Sequence, residues 1–325
     1  MSEPRVQHVG GGTHAWVAAD GGWGHSNSGV IVGAGESLLV DTLFDLPLTS
    51  RLLDDVAEVT AGAPIVRAVN THGNGDHWFG NAALPADVEI IAAAASLADM
   101  EAVGPATVAA LRGFPGPVGA FATACFGRFA FDDLPARLPD ATFEERTVVE
   151  VGGLEVLLLD LGPAHTRGDT VVVCERDGVV FTGDLVFADG TPIMWEGPVA
   201  NWLRACTRLR ELGEELGIHT VVPGHGPVSP LHRVTEMADY LSFVAEEATA
   251  RHARGMTASE AAADIELGTW ARRPERERLA ANVLSLYREL DGAPAPTGPE
   301  MFGCMAELLA HWASREATGS TPQED

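Results

Sequence analysis

The chain contains no lysine: all 21 basic residues among its 325 are arginine. That absence excludes Schiff-base catalysis through a lysine amine, a lysine-held pyridoxal cofactor and a phosphate-binding loop ending in Gly-Lys-Ser/Thr. Positive charge is scarce altogether, since 46 aspartates and glutamates leave a formal net charge of −25. A surface this acidic repels phosphate backbones and no arginine cluster marks a basic groove, so a small molecule is the expected partner and nucleic acid is not. Cysteine is limited to Cys125, Cys174, Cys206 and Cys304, far apart and in no CxxC pair, which argues against a zinc ribbon or a disulfide scaffold and for reduced thiols. No apolar run reaches the roughly 18 residues of a membrane span. The opening MSEPRVQHVGGG lacks the zones of a secretion signal. A cytoplasmic protein is expected, with a homo-oligomer left open.

What is present is ample apolar material, 46% of the chain against 21% charged, enough for one large α/β core with decorations. Short β-rich runs (HAWVAAD, GVIVG, SLLVDT) occupy residues 13 to 42, and residues 46 to 61 space apolar side chains at helical intervals before the strand-like IVRAVN. VEIIAAAASLADMEAV reads as a strand running into a helix. Residues 104 to 140 hold Phe114, Phe121, Phe126, Phe129 and Phe131 among prolines and glycines. Both periods fade there, which predicts an irregular segment packing its own phenylalanines or a lid over an apolar substrate.

Strand-like runs return as TVVEV, LEVLLLDLG, TVVVCERDGVVFTGD and HTVVPGHG, with Asp177-Gly178 as a hairpin signal and a helix at 200 to 216. This order predicts two packed sheets with helices outside. Residues 1–230 are expected to form the catalytic domain, and 231–325 a helical extension packed on it, with a disordered tail near 315–325.

The chemistry concentrates in Thr71-His72-Gly73-Asn74-Gly75-Asp76-His77, directly after IVRAVN. Three candidate ligands within six residues, separated by glycines, converge only in a tight loop at a strand end, which suits a metal. His165 in GPAHTRGD, Asp184 in FTGD and His225 in VVPGHG each follow another β-run with a glycine nearby. Four strand ends would thus deliver imidazole or carboxylate to one edge.

The order HxNxDH, His, Asp, His resembles the HxHxDH signature of the metallo-β-lactamase superfamily, from about Trp16 to Val228. The resemblance implies a four-layer αββα sandwich with a C-terminal helical extension and one or two zinc ions. It assigns His72, position 74 and His165 to one site, Asp76, His77 and His225 to the other, and Asp184 as the bridge. The departure is Asn74, where the family has histidine. An amide oxygen is a weaker zinc ligand and suits harder cations, so iron or manganese becomes an option. The SNSG near Ser26, the GPAHTRGD and PGHGPV segments and the trailing helices resemble the aromatic polyketide cyclase and thioesterase branch, typified by the actinorhodin second-ring cyclase.

A divalent metal makes hydroxide available near neutral pH, and Asp76 is the candidate to orient that water and take its proton. Asp41, Thr71 and Asp169 are candidates to fix the imidazole rings from behind. Trp78, Phe114, Phe121, Phe126 and Trp195 are candidates for an apolar substrate wall. His25 lies in a glycine-rich turn and is a remote substitute for the imidazole missing at 74; the remaining histidines read as ordinary surface or core residues. The reading is a hydrolase of an acyl bond in an apolar small molecule. A polyketide cyclase or thioesterase, and an iron-dependent oxygenase, are alternatives.

Overall fold

The structure, a computed structural model, describes residues 3–18 and 22–317. β1 (Arg5–Gly10), β2 (Thr13–Val17), β3 (Ser28–Val32) and β4 (Ser37–Val40) form an antiparallel meander. α1 (Leu46–Thr60), capped by the Asp45 carboxylate accepting from Leu48 N–H, returns the chain to β5 (Ile65–Val69), parallel to β4. β6 (Glu89–Ala93) and, after α2 (Ala94–Ala102), α3 (Pro105–Leu111) and α4 (Pro117–Phe126), β7 (Ala141–Phe143) complete a seven-stranded sheet.

The second sheet starts antiparallel with β8 (Arg146–Val151), β9 (Leu154–Asp160), β10 (Thr170–Cys174) and β11 (Val179–Phe187). α5 (Val199–Leu216) crosses over to β12 (Thr220–His225), parallel to β11, and β13 (Ser229–Pro230) closes six strands. α6 (Arg233–Ala253), α7 (Ala258–Asp264), α8 (Arg278–Leu290) and α9 (Gly298–Ala317) follow.

Side-chain alternation sets the layers. On β10, Val172 and Cys174 face the first sheet, meeting Ile31, Leu38, Val40 and Val69, whereas Val171 and Val173 face the helices. Leu52 and Val56 of α1 cover the outer face of the first sheet, and α5, α6 and α8 cover the second. The result is helix, sheet, sheet, helix, the αββα sandwich.

Two segments differ in part from the sequence reading. Residues 104–140 are irregular only in part: α3 and α4 form there, each with a proline in its first turn, where a missing N–H costs nothing, while 127–140 carry no helix or strand and Phe129 stacks on Phe131. Residues 315–317 are helical, since α9 runs to Ala317; the rest of the expected disordered tail lies outside the described residues. The helices after residue 230 pack on the rest of the chain: Trp202 and Leu209 share one buried cluster with Tyr240, Leu279 and Phe302. Among the described residues no helix is long and apolar enough to cross a membrane, and all four cysteines are free thiols.

Candidate metal centre

Both sheets end at one rim. The loop after β5 carries His72, Asn74, Asp76 and His77, the last two on a single 3-10 turn at Gly75–His77; the β9–β10 connection carries His165, and β12 ends on His225. Asp184 corrects the expectation that each ligand follows a strand, because it lies inside β11. The strand still presents it, since pairing with β12 slips between Gly183 and Phe187. Gly224 on β12 makes room: a Cβ there would run into Asp184 Oδ1.

Two groups of ligand atoms result, His72 with His165 and Asp184, and Asp76 with His77 and His225, each group lying within 4.8 Å. Asp184 sits between them. Its Oδ2 is 3.3 Å from His165 Nε2, 3.8 Å from His72 Nε2 and 3.4 Å from His225 Nε2, and its Oδ1 is 3.2 Å from His77 Nε2. His72 Nε2, His77 Nε2, His165 Nε2, Asp184 Oδ1 and Asn74 Oδ1 are buried without a hydrogen-bond partner. Buried polar atoms are ordinarily paired, and a cluster of unpaired donor atoms of this chemistry fits divalent cations.

The outer ring nitrogens are all engaged. His77 Nδ1 donates to Asp41 Oδ2 (2.8 Å), His165 Nδ1 to the Ile193 carbonyl (2.7 Å) and His225 Nδ1 to the His25 carbonyl (3.1 Å). Thr71 Oγ1 donates to Asp41 Oδ2 (2.8 Å) and so accepts from His72 Nδ1 (3.0 Å). Because carboxylates and carbonyls only accept, the proton that a neutral ring keeps lies on Nδ1, and each Nε2 is turned toward the centre as the atom that would bind a cation. Asp41 and Thr71 therefore stand behind imidazoles. Asp169 does not: its carboxylate accepts from Ala164 N–H, Thr166 N–H and Thr166 Oγ1–H (2.9–3.2 Å), folding the loop that carries His165 rather than touching the ring. His25 contributes its carbonyl, not an imidazole ligand. Asn27, which the sequence reading passed over, ties the same turn to β12 through Nδ2 bonds of 2.8 Å to the Pro223 and Gly226 carbonyls.

Burial governs the charges first. It pushes His165 down to about 4 and His72 well below the usual imidazole value. Burial acts the same way on His225 and His77, yet surrounding carboxylates overcome it: Asp184 and Asp76 lift His225 to about 9, and Asp184, Asp41 and Asp76 lift His77 well above its ordinary value. Asp76, which burial alone would raise, is brought down to about 2 by His77 and His225. His72 and His165 are thus neutral donors at pH 7, whereas a cation entering beside His77 and His225 displaces protons.

A cavity of about 270 Å³ opens over the centre. Its apolar lining includes Trp23, Phe44, Phe126, Ile193, Trp195 and Phe302, so Phe126 and Trp195 stand at the cavity expected to seat a substrate. Trp78, Phe121 and Phe114 do not. Trp78 is fully buried and braces the ligand loop through Nε1–H to the Gly73 carbonyl (3.0 Å). Phe121 packs on Trp23 and Phe302, and Phe114 is 43% exposed. The sequence reading missed Trp23 and Arg278. Arg278, 2% exposed, pairs with Glu275 (2.7 Å), donates to the Thr191 carbonyl (2.8 Å) and places its guanidinium 4.1 Å from the centroid of the Trp23 ring. No local pattern in ERERLA distinguishes this arginine from a solvated one.

Residues 21–225 match the family model described as the metallo-β-lactamase superfamily. No curated protein sequence matches the chain. Among solved structures, the stereoselective inverting sec-alkylsulfatase Pisa1 from Pseudomonas sp. is 18% identical, with a TM-score of 0.65 over 88% of this chain and 50% of that one, so this chain spans half the alkylsulfatase's length. A metallo-β-lactamase from Pontibacter korlensis is 19% identical (TM-score 0.55, 74% of this chain and 99% of that one). FIM-1 from Pseudomonas aeruginosa, in a mono-zinc form, is 22% identical (TM-score 0.53, 74% and 97%). These likenesses are of fold. With the family model spanning more than half of its length, the chain belongs to the metallo-β-lactamase superfamily.

Proposed function

We propose that the protein is a zinc-dependent hydrolase that cleaves an acyl bond, thioester or lactone ahead of other esters and amides, in a mostly apolar small molecule. The observation that carries this reading is the Asp184 carboxylate shared by two histidine-rich triads at the floor of an apolar cavity. His72, His165 and Asp184 would hold one ion and Asp76, His77 and His225 another. Such an ion supplies a water with a pKa near 7 and polarises an acyl oxygen. Asp76, held ionised by His77 and His225, orients the attacking water as a hydrogen-bond acceptor. Trp23, Phe126, Trp195 and Phe302 exclude bulk water and seat the apolar acyl part. Their flat faces suit the aromatic chain of a polyketide, where the same bond chemistry would release or cyclise the product.

A sulfate ester is the second reading. It is favoured by the breadth of the likeness to the alkylsulfatase, which covers 88% of this chain, and by the position of Arg167 and Arg278 on the cavity wall. The test is a zinc-loaded sample assayed on thioesters, lactones, esters, amides and alkyl sulfates. Turnover on an acyl substrate, lost on chelation of the zinc and in Asp76→Asn, is expected. Turnover on alkyl sulfates alone moves the assignment to the second reading, and iron with oxygen uptake overturns both.

A further inference from the structure

We infer that the Asn74 side chain supplies a neutral oxygen donor beside His72, His165 and Asp184, so that the two halves of the centre differ in hardness and hold ions of unequal affinity. The inference rests on the metal reading above and concerns a residue that departs from the histidine pattern. Asn74 stands with extended backbone (φ −74°, ψ 137°) at the entry of the 3-10 turn Gly75–His77. Asparagine in that place ordinarily folds its side chain onto the turn's free N–H groups; here it makes no such bond. Its Oδ1 is instead buried and unpartnered, as are His72 Nε2, His165 Nε2 and Asp184 Oδ1, and the residue lines the cavity with Asp76, Asp184 and His225. A buried amide oxygen left unpaired is unfavourable, and a cation among the other unpaired donors is the partner its chemistry fits.

The two halves then differ in kind. Asp76, His77 and His225 offer an anionic oxygen and two imidazoles, a strong zinc set. The other half has two imidazoles and an amide oxygen, and its only carboxylate, Asp184, is shared. Neutral oxygen in place of imidazole weakens binding of zinc and favours harder ions such as manganese. The Asp76 half should fill first and with zinc, the Asn74 half second and with less discrimination.

The experiment is a titration of the chelator-stripped full chain with zinc against a chromophoric competitor, with ion content counted after loading in equimolar zinc and manganese. One zinc bound tightly and a second ion held at least about tenfold more weakly, with manganese competing only for the second, is expected. Asn74→His should tighten the second zinc about tenfold or more and exclude manganese; Asn74→Ala should lose the second ion and keep the first. Two zincs of equal affinity, no second ion of any kind, or an Asn74→Ala variant that keeps the second ion would overturn the inference. Anomalous diffraction from zinc- and manganese-loaded crystals of the unaltered chain locates each ion without a variant. Manganese on the Asp76 side, or a second ion with Asn74 turned away, would also overturn it. A chain that takes up no metal removes the proposed function as well, whereas equal affinities leave that function standing.

Discussion

Replacing Asp41 by asparagine tests whether the centre is organised from behind. The carboxylate accepts from Thr71 N–H (2.7 Å), Thr71 Oγ1–H (2.8 Å) and His77 Nδ1–H (2.8 Å). An amide of the same shape has one acceptor atom, and because the Thr71 backbone N–H can only donate, the amide oxygen keeps that bond while the NH₂ takes the place of Oδ2, facing Thr71 Oγ1 and His77 Nδ1. His77 then loses the acceptor that holds its proton on Nδ1, and the tautomer with the proton on Nε2 cannot bind a cation. Loss of such an outer partner costs about 10–100-fold in metal affinity, or about 1.4–2.7 kcal/mol. Asparagine also isolates the effect from the backbone. Asp41 sits at φ +60°, a conformation asparagine tolerates but alanine pays for with about 1–2 kcal/mol. The fold loses a charge-assisted bond of about 1.5–3 kcal/mol, partly offset because burial already opposes the charge on Asp41. The assay is zinc competition with a chromophoric chelator, beside thermal melts in chelator. A variant that melts near the wild type yet binds zinc as tightly would refute the reasoning.

Three further outcomes are expected. In the metal-stripped chain, His225 has a folded pKa of about 9 against 6.5, so its contribution, on the order of 3 kcal/mol, is complete below pH 6.5 and is lost as pH rises through 9. Zinc affinity rises over the same window, and calorimetry in buffers of different ionisation enthalpy should detect proton release; none would contradict the assignment. Asp184→Asn should weaken both ions together, because both triads approach this carboxylate, and selective loss of one by elemental analysis would show that it serves a single half. Arg278→Met removes the partner of the half-buried Glu275 and a hydrogen bond to the Thr191 carbonyl and should cost about 1–3 kcal/mol; it should also loosen Trp23 and raise KM while bound zinc is unchanged, and a loss of zinc instead would place Arg278 among the supports of the centre.

The ligand loops were legible because each joins a hydrophobic run to glycine and a donor side chain, a local signal that survives without tertiary information. Asp41 shows the same logic at the end of β4. What failed to show were properties of packing. Asp184 and Asp169 occupy similar contexts in sequence, yet only the slipped register of β11 and β12 turns Asp184 inward, while Asp169 spends its acceptors on its own loop. The phenylalanine-rich stretch hid α3 and α4 because glycine and proline at helix starts look like loop signals. Phe126 and Phe121 lie five residues apart on α4, and only the neighbours decide which of them reaches the cavity.

The helices after residue 230 do more than cover a sheet. Glu277 at the head of α8 accepts from Trp23 Nε1 (3.1 Å) and Arg278 lies over the same ring; two residues on, the His25 carbonyl holds His225 Nδ1. The extension therefore positions the turn that orients a candidate ligand, and Pro296 and Phe302 line the cavity from beyond the matched span 21–225. A chain ended at residue 230 would also expose Ala205, Cys206, Leu209 and Leu212 of α5, which share their buried cluster with Met237, Tyr240, Leu241 and Leu279. Burying a large apolar side chain is worth about 1.5–3 kcal/mol, so a handful of exposures rivals the roughly 5–15 kcal/mol that holds a typical domain folded. The truncated chain should show no cooperative melt and should bind a hydrophobic dye. If it instead unfolds cooperatively and takes up zinc as the full chain does, the turn from Trp23 to Asn27 holds itself, and α8 acts on the substrate alone.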